Sequence, residues 1–270
     1  MISSRVSNIL KKEWRVMCSD LNSLLIVTLI PLLIVGQALL YIWLIENFGG
    51  EAILGNTMFQ TAMGNLRKAL PAVAGLPIGQ QLQVFLLSQI NFYLLLIPTM
   101  IAVSFATFSI VDEKLSGSLE ALLVTPVRTW ELLLGKALAG AVPALLVTWV
   151  CAVLFILGVV VMGWGQLVDL VLNLSWFFSL FLLTPAIALL SFMLGVIGSS
   201  RAKDAKSAQN IVLAIVLPLL AFIGFQVTGL VWFTPLTTLA LALGIAVLDV
   251  FILRMAVGLF QRESIVVKWH

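Results

Sequence analysis

Histidine is almost absent: of 270 residues, the single one is the last, His270. That excludes histidine-based catalysis and histidine-rich metal sites, and it leaves any serine nucleophile without a base. Charge is scarce too. Only 10% of the residues are Asp, Glu, Lys or Arg, against about a quarter in a soluble domain. There are two cysteines, Cys18 in the basic N-terminus and Cys151 inside an apolar run, so neither a disulfide framework nor a metal site is suggested. A phosphate-binding P-loop is missing as well. The only Gly-Lys pair, Gly135-Lys136, has Trp130 where the first glycine belongs, and Ala137 follows where Ser or Thr is required. The chain is therefore expected not to be an enzyme by itself, with no catalytic residue, no metal and no cofactor of its own.

What is present is hydrocarbon. Apolar residues make up 61% of the chain and the mean hydropathy is +1.15, which points to the bilayer. The first apolar run, Ser23 to Ile45, is far longer than a signal-peptide core of roughly 7–15 residues, so it reads as a retained span. A helix needs about 20 apolar residues to cross the hydrocarbon. Charge-free intervals then predict six spans at about 22–45, 84–111, 133–161, 171–198, 207–226 and 234–254. The third and fourth are divided by a turn, "MGWGQLVD", around Asp169. The last two share one charge-free stretch, Ser207 to Leu248, broken at "GFQVTGLVWFTP". The expected fold is an all-α membrane protein, a single domain over 1–270.

Of the fifteen bases, thirteen fall on one side of these spans. They lie in the N-terminus, in 112–136, after span four and at the C-terminus, while Arg67 and Lys68 stand alone on the other side. The positive-inside rule places both termini and 112–132 in the cytoplasm and the long 46–82 loop outside. Residues 4–19 put Val6, Ile9, Leu10, Trp14 and Met17 on one stripe, away from Lys11, Lys12 and Arg15, which predicts a helix lying in the cytoplasmic interface. The 46–82 loop contains a possible amphipathic helix at 57–70 and reads as an ordered cap. Ionisable residues are nearly missing from the spans. Asp249, near Arg254, reads as an interfacial aspartate before it reads as an ion-coupling site. Gln37, Gln89, Asn91, Asn173 and Gln226 could line a path or hydrogen-bond between helices.

One polar island interrupts this pattern. "SIVDEKLSGSLEALLVTPVRTWELLLGK", Ser109 to Lys136, holds four acids and three bases. Ser116-Gly117-Ser118 breaks a helix, and Ser118 can cap a new one. Leu119, Leu122 and Leu123 then share a face beside Glu120, and Pro126 ends the segment. Thr129 can cap the next helix, with Glu131 favoured in its first turn. The pattern predicts a two-turn helix at the cytoplasmic surface. It either seats its leucines in a partner's groove or packs on its own bundle.

"EKLSGSLEALLVTPVRTWELLLGK" resembles the first cytoplasmic loop of ABC-2 type ABC transporter permeases, the six-span exporter family. Glu113, Lys114, Gly117, Leu119, Glu120, Leu122, Leu123, Thr125, Pro126, Glu131, Gly135 and Lys136 match that pattern. Leu115 and Ser118 depart from it, standing where Glu and Thr are frequent, and "KKEWR" fits the family's interfacial helix. The resemblance implies that the island is a coupling helix seated on a separate ATPase subunit. Glu113, Gly117, Ser118, Leu119, Glu120, Leu122, Leu123, Thr125, Pro126 and Arg128 would form the coupling site. It further implies two ATPase copies that bind ATP and Mg, a second or related permease, outward transport, and a bacterial or archaeal inner (plasma) membrane. Membrane lipid is an expected partner and nucleic acid is not. The ATPase is expected in another chain, since 270 residues leave no room for it. Two other readings stay open: an ion-coupled transporter or channel acting alone, and a non-transporting anchor for an ATPase. The substrate is not legible.

Overall fold

The computed structural model describes residues 4–19, 21–48, 57–115, 117, 129–199, 207, 210–218, 221, 232 and 234–259, and among these it is helical with no strand. In hydrocarbon a chain must satisfy its backbone groups within each segment, and helices do that locally. Helix α1 (Ser4–Ser19) precedes α2 (Leu21–Phe48), a uniformly apolar helix. Its Val27, Val35, Ala38 and Ile42 face the bundle, while Leu25, Leu29, Leu33 and Leu40 remain exposed, as suits a helix with lipid on its outer side.

The amphipathic stretch read at 57–70 is helical as α3 (Thr57–Ala69). With a 3₁₀ turn at Pro71–Gly75 and α4 (Ile78–Ser88), it forms a lid over one end of the bundle. Its own Leu66 and Val73 are fully buried, packed into the hydrophobic core. Gln81 fastens it, accepting from Arg67 Nε at 2.8 Å and donating to the Leu76 carbonyl at 2.7 Å. The chain turns at Gln89 before α5 (Ile90–Leu115), so the expected second span contains a break. There Ser88 Oγ donates to the Val84 carbonyl, and the Gln89 N–H bonds to Leu86 three residues back.

Helix α6 (Thr129–Val161) is 33 residues, about 50 Å long. A turn with Gly163 at φ +86° and buried Trp164 follows, then a 3₁₀ turn (Gly165–Leu167) and α7 (Val168–Val171). Helix α8 (Leu174–Phe178) is capped by Asn173, whose side chain accepts from the Trp176 N–H at 3.1 Å. It runs through a π turn (Ser179–Leu183) into α9 (Thr184–Ser199), with Thr184 Oγ1 donating to the Ser179 carbonyl at 2.8 Å. Helix α10 (Pro235–Leu259) closes the set.

The centre is α5. Of its apolar window with α4, 67% is buried, against 11% for α10, which therefore lies at the periphery. Its closest neighbour is α9, where a Cβ on Gly195 would stand 2.9 Å from Ala106 Cβ and 3.1 Å from the Val103 carbonyl oxygen. Small residues let the two backbones approach where packing, not water, drives association. Among the described residues five helical segments are long and apolar enough to cross a membrane: Val27–Leu44, Ile78–Val111, Trp130–Val161, Leu174–Ser199 and Pro235–Gly258. The sequence predicts six. Of the span expected at 207–226, residues 207, 210–218 and 221 are described, and all of them are helical.

Candidate functional site

The end of the bundle beside the polar island holds the densest charge chemistry among the described residues. Three elements build it. Ser109 and Glu113, four residues apart, share one face at the end of α5. Lys136 stands in the second turn of α6, and Lys12 and Glu13 come from α1. Lys136 is 1% exposed, yet three polar side chains surround its ammonium group. Its Nζ donates to Ser109 Oγ at 2.7 Å and to Glu13 Oε1 at 3.3 Å, and it lies 2.9 Å from Glu113 Oε2. Ser109 Oγ passes the chain on, donating to Glu13 Oε2 at 3.3 Å. Lys12, half exposed, closes the set from the surface, 3.3 Å from Glu113 Oε1 and 3.7 Å from Glu13 Oε1. Two cations face two carboxylates, so the buried charge is balanced within the cluster.

Neighbouring residues make room for it. A Cβ on Gly135 would lie 2.9 Å from Ile9 Cγ2 and 3.1 Å from Ile9 Cβ, so the glycine lets α1 lie directly on α6. Trp14 adds a further anchor, donating from Nε1 to the Ala139 carbonyl at 3.0 Å. Helix α1 is thus tied to α6 by packing, by a hydrogen bond and by charge, and to α5 through Glu113. What the arrangement can do is hold three helices as one piece.

Of the sequence-predicted site, Glu113 and Gly117 fall within the described residues. Glu113 is buried in the ion cluster. Gly117 is exposed, two residues past the end of α5, with φ +68°, the left-handed conformation that suits a residue just beyond a helix end. Ser118, Leu119, Glu120, Leu122, Leu123, Thr125, Pro126 and Arg128 lie outside the described residues. Helix α6 is described from Thr129 onward, with Glu131 buried near that end.

Sequence reasoning missed Glu13 and Ser109 and gave Lys136 no role. A signal for Glu13 existed. Counting from Val6, it falls seven residues on, within the apolar stripe of α1 itself, where an unpaired carboxylate would be costly. Lys12, read as lying away from that stripe, reaches back to Glu113 instead. Serine offers no comparable signal, and nothing local marks Ser109.

The sequence profile of the ABC-2 family transporter proteins matches residues 7–261, nearly the whole chain. The chain belongs to that family. No curated protein and no solved structure gives a comparable match. Membership makes this ABC-2 protein a membrane subunit for transport and implies an ABC ATPase subunit as its partner. Several long apolar helices agree with a multi-pass membrane protein.

Proposed function

We propose that this chain is the permease of an ATP-driven exporter, coupled to separate nucleotide-binding subunits through the 112–132 loop. In this reading two permeases, identical or related, pair with two ATPase copies, which hold the ATP and Mg. Both termini and the loop face the cytoplasm of a bacterial or archaeal cell, and cargo moves outward across its inner membrane.

The observation that carries the reading is the buried charge cluster. Glu113 and Lys136 flank the loop on either side, and Glu13 and Lys12 tie both to α1. A push on the loop would reach α1, α5 and α6 together. Trp130, exposed at the start of α6, leaves an apolar surface beside the loop.

The experiment is to co-express the chain with an ATPase encoded beside it and measure complex formation and ATPase activity in nanodiscs. Leu119→Asp or Leu122→Asp is expected to lower co-purification or the permease-dependent ATPase rate at least tenfold, with the bundle's thermal midpoint unchanged. A complex and rate that survive both changes would overturn the docking role.

A second reading, ion-coupled transport without an ATPase, is favoured by one observation. Asp249, in α10, has its Oδ1 buried without a hydrogen-bond partner. Transport in liposomes without ATP, abolished by Asp249→Asn, would establish it over the first.

A further inference from the structure

Helix α6 runs unbroken through Pro143. Proline has no N–H, so the carbonyl four residues back, that of Ala139, loses its partner within the helix. In water such an oxygen is hydrated. In a bilayer it needs a donor from another element. That donor is Trp14 of α1, whose Nε1 lies 3.0 Å from the Ala139 oxygen.

The same chemistry recurs at Pro185. The Thr184 N–H goes to the Ser179 carbonyl five residues back, which makes the π turn. The Leu180 carbonyl thereby loses the donor four residues on, and the residue five on is Pro185, which has none. Trp149 of α6 supplies one, from Nε1 to the Leu180 oxygen at 3.3 Å. Two prolines thus release two carbonyls, and a tryptophan of another helix meets each.

The two places differ in what carries the tryptophan. Trp149 belongs to a span, whereas Trp14 belongs to α1, which lies on the bundle from outside. Helices bend where a proline has removed a bond, so α6 has a hinge at Pro143. With α1 seated, the carbonyl at that hinge is satisfied. With α1 lifted it would be buried and unmet, and α6 would relieve it by tilting the carbonyl outward or by rewinding 139–144 as a π turn, the solution already used at 179–184. The shape of α6 is therefore linked to the seat of α1, because only one of its two courses needs the indole.

We propose that Trp14 is a latch on a hinge at Pro143: it keeps α6 on its present course while α1 is seated, and α6 bends there when α1 lifts. Its use in passing on an ATPase stroke rests on the exporter reading; the latch itself does not.

The test uses the full chain in nanodiscs, without ATP or ATPase, so its outcome is separate from that of the docking experiment. Trp14→Phe keeps an aromatic ring and removes the N–H. Pro143→Ala gives the Ala139 carbonyl a main-chain donor, so the indole is no longer needed. Amide hydrogen exchange is followed by mass spectrometry along α6 and over the lid of α3 and α4. Trp14→Phe is expected to speed exchange roughly tenfold at 139–147, the effect of one unmet buried acceptor, with the lid unchanged. Adding Pro143→Ala should return the native rates, a rescue that loss of ring packing alone would not show. Native rates in Trp14→Phe, a rise spread equally over the lid, or a local rise that persists with Pro143→Ala would overturn the latch. Should Trp14→Phe alone fail to fold, the double variant is expected to fold, and failure of both would overturn it too.

Discussion

Two groups of buried and half-buried polar side chains meet α5 at Asn91 and at Ser109, eighteen residues apart and about 27 Å along the helix. At one end Lys136, Glu13, Glu113 and Ser109 answer one another with opposite charges and short bonds. At the other, Asn91, Asn173, Ser175 and Trp232 line a cavity of about 160 Å³, all of them neutral, and one donor has no partner. The difference is thermodynamic. Buried charges persist only where their counter-charges are built in, so the charged end is held by ion pairs across three helices and is stiff. Neutral groups cost less to leave unmet, so the other end need not be complete. One end suits transmission of force and the other does not.

The largest expected effect comes from breaking the charged end. Lys136→Met removes the buried cation and leaves Glu13 and Glu113 close together, with only half-exposed Lys12 to offset them. Removing one partner of a buried ion pair costs about 3–5 kcal/mol. A fall in thermal midpoint on the order of 10 °C should follow, read by tryptophan emission in nanodiscs. Glu13→Gln and Glu113→Gln added to Lys136→Met should recover most of the loss, because a neutral cluster no longer strands a charge. If Lys136→Met alone shifts the midpoint by no more than a degree or so, the cluster does not hold these helices together.

A smaller loss tests packing without touching charge. Gly135→Ala would place a methyl group against Ile9 and push α1 from α6, a cost of about 1–3 kcal/mol for overpacking. Ile9→Ala in the same chain should cancel part of that cost, a coupling that a double-mutant cycle measures. Gly36→Ala is the reference. Gly36 sits in α2 with nothing within 4 Å of where a methyl group would stand, so the change should be neutral or slightly stabilising. Equal effects at Gly135 and Gly36 would mean that α1 is not seated on α6.

These two changes bear on residues that the sequence exposes very unevenly. The apolar runs can be read directly, because a charge-free stretch of span length has few other uses, and α2, α6 and α10 each contain one. The turn at "MGWGQLVD" is legible for the opposite reason, since two glycines and an aspartate interrupt the hydrocarbon there. Asn173 as a cap is not, because a single polar residue in a greasy sequence has several uses of equal standing. The break at Gln89 is hidden for a related reason: it arises from backbone and serine hydrogen bonds within a charge-free interval, where Ser88, Gln89 and Asn91 have several uses of equal standing. At the candidate site, Glu113 is marked by its place in the island. Its partners are not, because Glu13 and Lys136 lie 123 residues apart and no spacing rule reaches that far. The neutral cavity is still less visible. Its wall is drawn from separate stretches of the chain, and each contributes only a few ordinary polar residues.

The smallest effect separates the two cations of one cluster. Lys12 and Lys136 both approach the same pair of carboxylates, but the Lys12 side chain is 53% exposed and that of Lys136 is 1%. Water already screens Lys12, and an exposed ion pair is worth about 0–1 kcal/mol. Lys12→Met should therefore lower the thermal midpoint by no more than a few degrees at low salt. Raising the salt to about 1 M, where the screening length falls to roughly 3 Å, should erase that difference. The deficit of Lys136→Met should survive the same salt, because ions do not enter its site. If both deficits vanished together, the charged end would be a solvated surface network, and its contrast with the neutral end would be one of charge alone and not of stiffness.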